Sequence, residues 1–237
     1  MITFDRPGWG GSVSPDDYQK TSIAEQSIAT AAVLREQQVS SARLLGVGFG
    51  AVVGLELALA EPDLVESVVL LEPPLFDTLT RATEGMSVDV AAIREAAEEG
   101  GEAAIWRLFR SGGLPTLGAG AERLAGDPDE PGESGHPDEE GEWGKTGGSE
   151  WPGSAGADEG PAAAHALLVE LPAVPAWPLD PVRVSRSEVP VTVATMPSSP
   201  TLLVDAADAL VPRIPGARRV IAAEEGPAGI AALVGDP

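Results

Sequence analysis

Few residue types in this 237-residue chain are able to do chemistry, and their positions narrow the options further. No cysteine occurs, which removes disulfides, thiolate metal sites and cysteine nucleophiles. Of the two histidines, His136 sits in a run of acidic and glycine residues and His165 in an alanine-rich helical stretch. A solvent-facing or internally satisfied ring is the expectation for His165. Two carboxylates stand where local structure can aim them. Glu72 closes an apolar run before Pro73 and Pro74, and Asp5 opens a glycine-rich turn. A lone carboxylate acts as a general base when burial raises its proton affinity. The densest small-residue motif is Gly46-Val47-Gly48-Phe49-Gly50. A plain strand–helix turn and a nucleotide-binding loop are both open readings of it, although the dinucleotide fingerprint needs its third glycine one residue later. Asp138, Glu139, Glu140 and Glu142 form a solvated charge run without the ligand pattern of a calcium loop. No metal and no cofactor is expected.

The elements that must position these residues alternate. Residues 1–4 are β-prone and run into the turn of residues 5–12. A helix is expected over residues 22–38, with Ser22 and Glu25 at capping-box spacing and Ala24, Ile28, Ala31 and Ala32 as its apolar stripe. Residues 43–47 read as a buried strand, residues 51–60 as a helix ended by Pro62, and residues 65–71 as a buried parallel strand. Such strand–helix alternation favours a parallel sheet with helices on both faces. One or two helices follow over residues 88–110, with Ile93, Ala97, Ile105, Trp106 and Phe109 as apolar contacts. Residues 127–160 hold eleven acidic residues against one lysine, too little apolar surface to offset their ordering entropy, so a disordered loop is expected. Beyond it come a short helix at 162–170, a proline-punctuated stretch to 188, a strand at 189–195, a helix at 200–211, a strand at 217–222 and a last helix at 227–234.

Charge sets the outer bounds on function. The formal net charge of -22 repels phosphate, which argues against nucleic acid and against anionic membrane surfaces. No apolar run is long enough to span a bilayer, and the first residues carry no basic segment followed by an apolar one. A soluble, cytoplasmic protein is the expectation.

Three stretches taken together resemble the α/β-hydrolase superfamily of esterases and lipases. Phe4-Asp5-Arg6-Pro7-Gly8-Trp9-Gly10-Gly11-Ser12 is similar to the turn after that family's fourth strand. Residues 44–51, the helix after them, Pro62 and residues 65–71 resemble the nucleophile elbow and its following strand. Residues 189–220 resemble the late strand, helix and strand that bear the catalytic acid in many members. The resemblance implies a mostly parallel sheet flanked by helices, with residues 1–84 and 189–237 forming the α/β core. Residues 85–188 then form a cap-like insertion that includes the acidic loop 127–160. The family's first strands, and the His-Gly loop that gives half of its oxyanion hole, have no counterpart before residues 2–4. Those residues then pair directly with the strand at 43–47 or leave a gap, and a fragment or truncated gene accounts for this as well as a real domain does.

The resemblance also implies what is missing. The elbow holds a nucleophile above the sheet on a strained turn with small flanking residues. Gly46 and Gly50 match the flanks, but Gly48 occupies the nucleophile's place and offers no oxygen. The base would fall within residues 222–230, which contain no histidine. Glu72 matches one of the family's two acid positions, with a hydrogen bond to a nearby turn as the alternative role. The Phe49 N–H is left as a single oxyanion donor. The N-myc-downstream-regulated family is similar at the elbow alone. The expectation is a hydrolase-like protein inactive in serine hydrolysis, holding a small apolar or ester-like molecule near Trp9, Ser12, Phe49 and Glu72. Altered hydrolase or lyase chemistry on Glu72 or Asp5, and a remnant without folded function, are the alternatives.

Overall fold

The structure, a computed structural model, describes residues 2–75, 79, 82–110, 160–224 and 226–235. His136 and the acidic segment lie outside these residues, except for Gly160, which opens a helix where a disordered loop was expected. Among the described residues four parallel strands form one sheet in the order β1 (Ala42–Val47), β2 (Val65–Leu71), β3 (Val191–Thr195), β4 (Arg218–Ile221). The pairing runs to Val47↔Leu71, Leu71↔Ala194 and Thr195↔Ile221, so the carboxyl ends of all four strands lie along one rim. In parallel sheets that rim is where ligands are met.

Helices cover both faces. On one side α1 (Ile23–Glu36), α2 (Phe49–Ala60) and α6 (Thr201–Leu210) join Val68, Leu70, Val191 and Val193 in the main core. On the other, Leu71, Ala194 and Met196 meet Ile230 and Leu233 of α7 (Gly226–Gly235). α3 (Ala82–Arg110) is interrupted at Gly100 and Gly101, where Gly101 takes φ +61°, and lies against α4 (Gly160–Glu170). A short helix, α5 (Pro181–Arg186), is capped by the Asp180 carboxylate inside the stretch that sequence reading left irregular. No helix of the described residues is long and apolar enough to cross a membrane.

Three expectations need correction. Residues 2–4 join no strand: β1 is an edge of the sheet among the described residues, and Ile2 and Phe4 are exposed. With no neighbouring ladder beside them, their backbone groups have no reason to leave water. Capping at the start of α1 is as expected, the Glu25 N–H donating to Ser22 Oγ at 3.2 Å. Its inward face is different, made of Ile23, Gln26, Ser27, Ala31 and Leu34, while Ala24, Ile28 and Ala32 face solvent. The polar Gln26 hides this face from an apolar count, because its amide is satisfied inside by Tyr18 Oη at 2.9 Å and Thr21 Oγ1 at 3.0 Å. In α3, Ala96 rather than Ala97 turns inward, beside Ala104, Ile105 and Leu167.

The irregular stretch after α4 is tied to the core by a buried charge. Glu56, in the middle of α2 and 6% exposed, accepts Trp177 Nε1–H at 2.8 Å and both terminal nitrogens of Arg183 at 2.9 Å. A forked arginine on a carboxylate is among the stronger and more directional polar contacts. Removing the acceptor by Glu56→Ala leaves the buried indole N–H unpaired. Arg183 keeps partial access to water, which lessens the loss. Urea unfolding is expected to show a destabilisation of about 2–3 kcal/mol, and a change below about 0.5 kcal/mol would assign the cluster no role in holding this stretch.

Candidate functional site

The turn from β1 into α2 is set by backbone contact. A Cβ on Gly46 would lie 2.2 Å from the Gly50 carbonyl oxygen, so strand and helix cross too closely for any side chain there. The chain turns at Gly48, with φ 54° and ψ -119°, and the Gly48 N–H donates to Leu71 O at 2.9 Å. That conformation is costly for residues with a Cβ and free for glycine. The space a Cβ would enter at Gly48 is open, with no atom within 4 Å. Gly50 also has open space, so its lack of a side chain is not a steric need. Phe49 follows as the first residue of α2, where helix N–H groups are unspent by the helix itself.

Beside this turn sits a group that sequence reading did not find. The Arg6 guanidinium lies 5.0 Å from the Phe49 ring centroid and 5.2 Å from that of Trp9. It donates to both oxygens of Glu170, from Nε at 2.8 Å and Nη2 at 2.9 Å, and Trp9 Nε1–H adds a third bond at 3.0 Å. Glu170 ends α4 and is 3% exposed. Trp9 meets Trp106 of α3 edge to face, with centroids 5.9 Å apart, and Trp106 stacks on Phe109. Gly8 permits the approach, since a Cβ there would lie 2.9 Å from Ala166 Cβ of α4. The available signal was an acid closing an otherwise apolar helix, which implies a cationic partner when the helix end is buried.

The expected site residues do not all converge. Trp9 and Phe49 are joined through Arg6. Ser12 instead donates to the Asp5 carbonyl at 2.6 Å, and the Asp5 carboxylate accepts the Gly11 N–H at 3.0 Å, so these two close their own loop. Glu72 is 3% exposed with φ 51°, a left-handed conformation uncommon for a side-chain-bearing residue. Its N–H donates to Ala194 O at 2.9 Å, and its carboxylate accepts the hydroxyl of Ser199. Ser199 Oγ in turn accepts the Met196 N–H at 2.8 Å. The carboxylate thus binds the turn after β3, one strand over from its own strand end. His165 Nε2–H donates to Tyr18 O at 2.8 Å, and Nδ1 lies 3.5 Å from Glu102 Oε1. Nε2 is held by the loop before α1, and Nδ1 faces the Glu102 carboxylate of α3. Among the described residues no group of three or more His, Cys, Asp or Glu is placed to hold a metal ion.

A parallel sheet covered on both faces, with a sharp strand-to-helix turn at the rim, defines the α/β-hydrolase fold. The chain has that fold, and solved structures agree. An α/β-hydrolase from Sphaerobacter thermophilus DSM 20745 superposes with a TM-score of 0.60 at 19% identity, over 98% of this chain and 79% of its own. An esterase from Exiguobacterium antarcticum gives 0.58 at 15% identity over 92% and 71%. An esterase from Rhodococcus sp. ECU1013 gives 0.51 at 20% identity over 98% and 76%. No family model matches the chain, and no curated protein is similar to it in sequence.

Two measurements test this geometry. Gly46→Ala forces backbone apart and is expected to cost about 1–3 kcal/mol or more, whereas Gly50→Ala, in open space on a helix, is expected to be neutral or stabilising by up to about 1 kcal/mol; equal urea midpoints for the two would contradict the crossing. Burial, and after it the Glu170 charge, raises the proton affinity of Tyr18, the single tyrosine. A group bound more tightly to its proton when folded stabilises the fold below its unfolded value and loses that contribution as pH rises through the folded one. Stability is therefore expected to fall above the ordinary tyrosine value of about 10, with Tyr18→Phe flattening the decline and phenolate absorbance reporting the titration directly.

Proposed function

We infer that this hydrolase-fold chain performs no serine hydrolysis and acts as a binding or scaffold protein. Its cleft, at the carboxyl ends of β1 and β2, holds a small apolar or ester-like molecule. One observation carries this reading: the tip of the turn, where an attacking oxygen belongs, is Gly48, with open space in place of a side chain. Supporting it, His165 Nε2–H is committed to the Tyr18 carbonyl, and the Ser199 hydroxyl donates to Glu72. The rings of Trp9 and Phe49, bridged by an Arg6 already paired with Glu170, give this cleft an apolar wall. Altered chemistry on Glu72 has less support, because that carboxylate is already bonded to the Ser199 hydroxyl.

A fluorophosphonate probe followed by intact-mass spectrometry is expected to leave the chain unlabelled, and a stoichiometric adduct on any serine would overturn the reading. Gly48→Ser is expected to fold at a cost of about 1–3 kcal/mol for its left-handed backbone and to leave p-nitrophenyl ester hydrolysis at the buffer rate. Serine-dependent turnover in that variant would reveal a base within reach and contradict the argument.

A further inference from the structure

A second concavity lies apart from the turn at Gly48. The loop entering α1 and the segment after α4 enclose a cavity of about 340 Å³ that opens to solvent. Ile23, Val169, Ala173 and Trp177 line it, each at most 8% exposed. The Trp177 indole N–H is committed to Glu56, so what that ring offers the cavity is apolar surface. Among the described residues lining it, Lys20 is the only charged one. The wall carries the exposed ammonium of Lys20, while the Glu25 carboxylate stands beside it, accepting the hydroxyl of the lining Ser22 at 3.0 Å. Asp16 and Asp17 precede it in the loop without lining the cavity. At physiological salt, charges beyond about 8 Å are largely screened, so groups at the wall count for more than the overall charge. Pockets that take small molecules span about 300–1,000 Å³ and combine apolar walls with few polar groups that fix orientation. This cavity lies at the small end of that range.

We propose that the cavity between the α1 entry loop and the post-α4 segment binds a small, flat apolar carboxylate, its ring against Trp177 and its charge at Lys20. The site is independent of the turn at Gly48 and of the function inferred there. The test is calorimetric titration of the full chain with 2-naphthoate, and with 2-naphthamide as an uncharged isostere. Saturable one-to-one binding of naphthoate is expected, stronger than that of the amide. Lys20→Glu is expected to weaken naphthoate about fivefold or more without moving the amide. Ala176→Trp fills the cavity from an exposed position and is expected to abolish binding of both. Absence of saturable binding, or unchanged affinity in a folded Ala176→Trp chain, would remove the site. Equal binding of acid and amide, unmoved by Lys20→Glu, would overturn the anionic assignment. If Ala176→Trp fails to give a cooperative circular-dichroism melt, the Lys20→Glu and amide comparisons decide alone.

Discussion

The approach of two backbones at the start of α2 governs the architecture. Because Gly46 has no Cβ, the β1 strand runs in contact with the first turn of the helix that follows it, and the chain reverses within one residue. That reversal brings α2 under β1 and β2, with eight consecutive residues, Ala51 to Ala58, buried. It also joins the turn to the next strand through the Gly48–Leu71 bond. The geometry that presents a side chain above a sheet is therefore retained where no side chain exists to present. A scaffold of this kind does not relax when its reactive group is absent, because the contact enforcing it is between main chains.

Around that centre the less regular parts are held by one repeated device. Glu56 and Glu170 are both nearly fully buried, both forked by an arginine and both bonded by a tryptophan indole. In each case the carboxylate sits in a helix of eleven or twelve residues, and its donors lie in the loop before α1 or in the stretch that leads into and includes the short helix α5. Buried ion pairs recover much of their desolvation cost only when the geometry is good and the remaining lone pairs are used. Here three donors converge on each carboxylate, which favours a single placement of the loop relative to the helix. The expected cleft residues Trp9 and Phe49 are brought together by this device rather than by contact with each other.

Fold class was legible because it depends on periodicity and chain order. The apolar run at residues 65–71 reads as a parallel strand without reference to neighbours and spans the same residues as β2. The capping pair at the start of α1 is equally local. What escaped was decided at a distance. Gln26 looks like surface until Tyr18 and Thr21 supply its partners, and Arg6 and Glu170 stand far apart in the chain with nothing local to couple them. Residues 2–4 fail in the opposite way: their composition suits a strand, but a strand is a relation between segments, and among the described residues no strand pairs with them. The glycine at the turn was read correctly as a backbone requirement at Gly46, while Gly50 turned out to need none.

The two borders of the sheet differ in a way that bears on colloidal behaviour. Among the described residues β4 is four residues long and opens with Arg218 and with Arg219, the latter paired with Asp208, the kind of short, charged border that discourages other chains from docking. β1 is longer, half-buried along Leu44 and Leu45, and its single charge, Arg43, is already engaged by Glu66. Little in its own composition guards its outward main-chain groups. Protection falls instead to the mutual repulsion of strongly anionic molecules, which acts over the whole particle and fades as ions are added. Ionic strength, more than any local gatekeeper, then sets how readily two molecules meet along that border.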